Sequence, residues 1–137
     1  MLRPETRVRA RAAQLLYAWE LRGRPDLREV AHGFHALARR RDRALEDGEA
    51  LAHEVAASVD RLDAAIADVA EHWRPERIGA MERAILRVAL HELLAERAPP
   101  KVVIDEAIRL AHWFAGAKAP PFVNGVLDAV ARRAGRL

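Results

Sequence analysis

Apolar residues recur at helical spacing along almost the whole chain. Val8, Ala12, Leu15, Leu16 and Trp19 fall on one stripe of a helix running from about Glu5 to Arg22, since 3.6 residues per turn bring positions three and four apart onto one face. Gly23 follows, and glycine suits the left-handed backbone that closes a helix. Asp26 with Glu29 reads as a capping-box-like start for a second helix to about Arg40. Arg39-Arg40-Arg41-Asp42-Arg43 marks a charged corner. A long helix is predicted from about Asp47, with Leu51, Val55, Val59, Leu62, Ile66 and Val69 inward and a bend near Ser58-Val59.

After Arg74-Pro75 the period resumes at about Ala80 and buries Met81, Ile85, Leu86, Ala89 and Leu93. Pro99-Pro100 ends that helix and opens the next, because proline is tolerated in a first turn. Val103, Ile104, Ala107, Ile108, Ala111 and Phe114 carry the next helix to Gly116. Pro120-Pro121 start the last, with Phe122, Val123, Val126, Leu127 and Val130 as its apolar set. Breakers at Gly23/Pro25, Gly48, Pro75/Gly79, Pro99-Pro100 and Pro120-Pro121 thus cut the chain into helix-sized pieces. Strand signals are nearly missing, and Asn124-Gly125 lies inside a helical period rather than between strands. The pattern predicts an all-α bundle, with residues 1–137 as a single domain. No apolar run approaches the roughly 18 residues of a membrane span, and Met1-Leu2-Arg3-Pro4 leads into a charged segment unlike a signal peptide. A soluble, cytoplasmic protein is expected.

Composition then narrows the chemistry. Cysteine is absent, and Thr6, Ser58 and Tyr17 are the only hydroxyl residues, which excludes most nucleophilic catalysis as well as disulfides and thiolate metal sites. His32 and His35 stand three apart, but no third ligand lies at a motif-like distance, and no metal is expected. Asp60/Asp63 and Glu49/Glu54 read as solvated helix faces. With neither a glycine-rich phosphate loop nor a dinucleotide fingerprint, no cofactor and no catalytic residue is expected.

Charge is more informative. The net charge is only +3, yet residues 1–25 carry six Arg against Glu5 and Glu20, and residues 99–137 carry six basic against three acidic side chains, while the middle is net negative. Basic ends on an acidic body suit a polyanion partner. Arg3, Arg7 and Arg11 line up at i, i+4, i+8, with Gln14 continuing the row, and Arg9 flanks the apolar stripe on its other side. Two readings stay open: guanidinium groups offered to phosphates, or arginine stems covering the core edge. Tyr17, nearly opposite the stripe, also has two readings: a ring that stacks a base, or an ordinary single exposed aromatic.

Residues 82–93, Glu-Arg-Ala-Ile-Leu-Arg-Val-Ala-Leu-His-Glu-Leu, and residues 103–128, with Val-Ile-Asp-Glu-Ala-Ile-Arg-Leu-Ala and then Phe-Val-Asn-Gly-Val-Leu-Asp, resemble the NusB family of transcription antitermination factors. Arg-x-Arg-Ala-x-Ala-Ala-Gln-Leu-Leu-Tyr of residues 7–17 is similar to that family's first helix. The resemblance is collinear from about Arg7 to Asp128. It implies seven helices in two helical subdomains. It further implies binding of the boxA element of ribosomal RNA leaders together with NusE, the ribosomal small-subunit protein, within the RNA polymerase antitermination complex.

By position, the resemblance places Arg7 and Arg9 in the arginine-rich start that contacts RNA, Phe122 near RNA bases, Tyr17 near the same surface, and Glu82 toward NusE. Departures from the family pattern are plain. Glu5 and Thr6 interrupt the arginine run, and Ala119, Pro120 and Pro121 stand where Ser and a basic residue often precede the Phe, leaving Lys118 as the nearest cation. His91 occupies a position where Tyr is common. A purely structural reading of Phe-Val-Asn-Gly puts Phe122 in the core and has Gly125 permit close helix approach; the functional reading puts Phe122 at a helix mouth with one ring face open. Two rival functions remain: the RNA-binding domain of a ribosomal RNA methyltransferase, which requires a catalytic domain beyond Leu137, and a helical adaptor with no RNA role.

Overall fold

Each apolar period forms a helix. The structure is a computed structural model that describes residues 3–38, 40–70 and 74–137. Among these it contains seven α-helices and no strand: α1 (Pro4–Leu21), α2 (Leu27–Leu37), α3 (Arg43–Ala57), α4 (Val59–Val69), α5 (Ala80–Leu94), α6 (Pro100–Phe114) and α7 (Ala119–Arg133), with a 3-10 turn at Pro75–Arg77. Met1 and Leu2 of the start, and Arg39 of the charged corner, lie outside the described residues. The chain divides into two units, Met1–Ala57 and Ser58–Leu137.

In the first unit α1 packs along α3, with α2 beside them. The approach is close because of Gly48: a Cβ there would stand 2.7 Å from Arg11 Cβ and 3.0 Å from the Val8 carbonyl oxygen. Gly48, a breaker by sequence, instead lies inside α3, where helix-on-helix packing outweighs its roughly 1 kcal/mol propensity penalty. α3 also begins four residues earlier than the apolar period suggests, because Asp42 caps it. Its Oδ1 accepts the Leu45 N–H at 3.0 Å, satisfying a donor the helix leaves open. α1 ends as expected on Gly23 (φ 80), with the Arg24 N–H donating to the Trp19 carbonyl at 2.9 Å and the Gly23 N–H to that of Glu20 at 3.1 Å, the paired bonds of a Schellman closure. Asp26 caps α2 through the Arg28 N–H at 2.9 Å. α2 stops at Leu37, short of Arg40, because Ala38 turns to extended backbone. The buried set of α1 keeps Ala12, Leu15, Leu16 and Trp19 of the predicted stripe and adds Thr6, Ala10 and Ala13, while Val8, expected inward, is half-buried.

The long helix is broken rather than bent. Ser58 leaves helical geometry (φ −115, ψ 9) between α3 and α4, and the apolar period runs on across the break, so periodicity alone could not register it. α4 buries Val59, Leu62 and Ile66, and Val69 is half-buried. In this unit α4 packs on α5 and α7, and α5, α6 and α7 pack on one another. α5 is buried continuously from Ala84 to Leu93, Arg87, His91 and Glu92 included, so it has no polar face of the kind a surface helix shows. Met81, expected inward, is half-buried. Arg87, only 4% exposed, grips Asp63 with both carboxylate oxygens engaged, at 2.8 and 2.7 Å. Asp63 is therefore an internal clamp and not part of a solvated face. α6 buries Val103, Ile104, Ala107 and Ala111, together with Glu106 and Leu110, while Ile108 is half-buried. Phe114, expected in the core, is 39% exposed, because it is the last residue of α6 and the helix ends before its ring is covered. α7 buries Val123, Val126, Leu127 and Val130 as the pattern predicts.

Candidate nucleic-acid interface

The arginine row exists on α1, but its members differ. Arg3 and Arg7 are exposed, and Arg9 is half-buried. Arg11 is tethered: one guanidinium nitrogen donates to Gln14 Oε1 at 3.0 Å and another pairs with Asp42 at 3.4 Å, so the end of the row is tied to the cap of α3. Arg7 lines an open cleft of about 820 Å³ within this unit. Cations near a helix N-terminus lie at the positive end of its dipole, so Arg3 and Arg7 do not assist folding there. Tyr17 is 36% exposed, with ring area left for a partner.

In the second unit, Lys118 is exposed immediately before α7, and Phe122 is half-buried in its first turn behind the buried Pro120 and exposed Pro121. Asn124 and Gly125 are both exposed, and a Cβ built on Gly125 meets nothing within 4 Å. Close helix packing is therefore not what Gly125 provides. Val123, Val126 and Leu127 point inward, so the motif divides between an apolar side that holds the helix and an open side of Phe122, Asn124 and Gly125.

Sequence reasoning missed a neighbouring feature. Trp113 and Phe114 are exposed at 44% and 39% and meet edge to face, centroids 6.2 Å apart at 85°. They end α6, shortly before Lys118. The available signal was that Trp113 lies off the apolar period of α6.

Glu82 sits half-buried in the first turn of α5. Its removal from water pushes its carboxyl above the ordinary value of 4.5, so the ionised form lacks solvation that a cationic partner would supply. Elsewhere, His35 turns to Glu49 at 3.0 Å and His53 reaches the other oxygen of Glu49 at 3.2 Å, while His32 is exposed. Glu49, expected on a solvated face, instead joins α2 to α3. Among the described residues no group of three His, Asp or Glu is arranged to hold a metal ion.

Comparison with known proteins places this geometry. Residues 6–132 match the model of the NusB family. Transcription antitermination protein NusB of a Nitratiruptor species is 38% identical over 129 residues, 93% of this chain and 92% of that one. Its counterpart in Serratia proteamaculans (strain 568) is 41% identical over 133 residues, 95% of each chain. The structure of T. maritima NusB is similar with a TM-score of 0.82 at 31% identity, over 96% of this chain and 93% of that one. A crystal structure of antitermination factors NusB and NusE in complex with dsRNA is similar with a TM-score of 0.77 at 28% identity, over 97% and 99% of the two chains. The chain belongs to the NusB family.

Proposed function

We propose that this chain is a non-catalytic transcription antitermination factor that binds boxA-type RNA of ribosomal RNA leaders together with NusE, in the cytoplasm, as part of the RNA polymerase antitermination complex. The observation that carries this reading is the similarity, across nearly the whole chain, to a NusB that was crystallised with NusE and RNA. Arg3, Arg7 and Arg9 contact phosphates, Arg11 fixes the end of their row through Asp42, and Tyr17 and Phe122 offer ring faces to bases, with Lys118 as the cation beside Phe122. Open aromatic faces favour unpaired RNA, since bases stack on side chains only where they are not already stacked in a duplex. Glu82 faces NusE. Among the described residues no helix is long and apolar enough to cross a membrane.

A gel-shift series with a boxA-type RNA and a scrambled control tests the reading. Tighter binding of the boxA-type RNA supports it. Weak binding that ignores sequence favours the helical adaptor.

A further inference from the structure

The cleft beside Arg7 contains more cation than the fold uses. It lies entirely in the first unit, between the start of α1 and the α2–α3 corner, and its charged walls are Arg7, Arg40, Arg41, Arg43, Asp42 and Asp47. Two of these charges are already answered: Arg41 holds Glu46 at 2.8 and 3.0 Å, and Asp42 is divided between Arg11 and the α3 cap. Among the described residues no ion pair joins Arg7, Arg40 or Arg43 to a carboxylate; Asp47 shares the cleft with them, and Glu46, already held by Arg41, feels the charge of Arg43 from nearby. Arg43 is the first residue of α3, where a cation opposes the helix dipole. The cleft is thus an electropositive hollow whose charge costs the fold stability unless an anion visits it.

Beside it lies a smaller hollow of about 250 Å³ that shares Ala38 and Asp42 and is lined by Phe34 and Leu37. Leu37 is 86% exposed, an apolar side chain left in water at the lip of a basic cleft. An anion site adjoined by an apolar shelf fits a nucleotide within a strand better than a lone phosphate, because a strand brings a flat base within reach of every phosphate.

We propose that this cleft is a second RNA contact, in which Arg40 and Arg43 hold a backbone phosphodiester next to Arg7 and the neighbouring base lies on Leu37 and Phe34. The proposal rests on the RNA-binding reading above and extends the bound strand to the α2–α3 corner.

The test is a titration of a labelled single-stranded boxA-type oligoribonucleotide across a salt series, with the wild-type chain, the double variant Arg40→Ala/Arg43→Ala, and Arg9→Ala for comparison. Two lost phosphate contacts should make the slope of log K against log salt shallower by about 1.4, at roughly 0.7 per phosphate on single strands, and weaken binding about tenfold or more. Both residues are exposed and their charge opposes the fold, so the thermal midpoint should hold or rise. Leu37→Ser should weaken binding several-fold with the slope unchanged; unaltered affinity in that variant removes the base contact. If the double variant binds like wild type while Arg9→Ala binds more weakly, the cleft is off the RNA path although RNA binding stands. If the wild-type chain binds no RNA, both readings fall. Inorganic phosphate supplies the last arm: a rise in thermal midpoint that needs Arg40 and Arg43, with RNA affinity independent of them, assigns the cleft to a small anion and overturns the proposal.

Discussion

A single ring separates structure from function most sharply. Phe122 is half-buried, so part of the ring is packed and part is open. Stacking contributes about 1–3 kcal/mol, whereas truncating a fully buried Phe costs about 3–5 kcal/mol of stability. Phe122→Ala should therefore lower boxA affinity roughly tenfold or more, about 1.4 kcal/mol per decade, with the thermal midpoint and NusE binding mostly intact. A large fall in midpoint with RNA affinity preserved would assign the ring to the core. Two glycines make a matched pair at the same scale. Gly48→Ala places a methyl 2.7 Å from Arg11 Cβ and should lose about 1–3 kcal/mol through overpacking. Gly125→Ala meets open space and should gain up to about 1 kcal/mol, readable by thermal denaturation of both variants. Equal midpoints would mean that α1 and α3 do not meet at Gly48. Sequence could not tell the two apart, because each is a glycine in a helical period and only the neighbouring helix decides its role. Asp63 and Glu49 illustrate the same limit: a carboxylate on a helix looks solvated until Arg87 or His35 arrives from another helix.

Among the elements, helices and the breaks marked by Gly and Pro were legible, and the full break at Ser58 was legible only as a bend. All the apolar periods became helices, because burial of one stripe is what holds a helix of this length. The division at Ser58 was read as a bend and not as a break because Val55, Val59 and Leu62 keep the period through it. The pattern gives α5 a single stripe, and its continuous burial from Ala84 to Leu93 depends on packing that no one helix encodes. For α1 the expected behaviour is electrostatic. If ~3 to 5 phosphates are neutralised, the salt slope should be about −2 to −3.5, and Arg7→Ala or Arg9→Ala should each reduce it by roughly 0.7 while weakening all RNAs alike. Unchanged slopes would make these arginines covers for the core.

For α5 the titration of Glu82 supplies the test. Its carboxyl is raised by burial, so the fold prefers the protonated form. That contribution to stability is present below the unfolded value and is lost as pH rises through the raised folded one. A basic partner reverses the preference, so NusE should bind more tightly as pH rises through the window just above 4.5, with proton release. Glu82→Gln should flatten this dependence and Glu82→Arg should abolish binding. A pH profile unchanged in the Gln variant would move the interface elsewhere.

At the scale of the molecule, charge was legible as a trend and misleading as an average. The basic character of residues 1–25 draws attention to α1, and the structure shows Arg3 and Arg7 exposed there. Residues 26–60 sum to a net negative charge, yet they contain Arg40, Arg41 and Arg43, which line a cleft with Arg7. Among their acidic companions, Asp42 is spent on a cap, Glu46 on Arg41 and Glu49 on His35 and His53, which a count of residues cannot show. The central claim is that this chain and NusE hold one RNA jointly. Two weakly basic surfaces on one strand gain from effective concentration, and the coupling must be reciprocal. The direct measurement is fluorescence anisotropy of a labelled boxA-type RNA titrated with this chain, with and without saturating NusE, against a scrambled RNA. Joint binding predicts a preference for the boxA-type RNA and a tightening by NusE of about tenfold or more. Equal affinity for the two RNAs, unmoved by NusE, would contradict it.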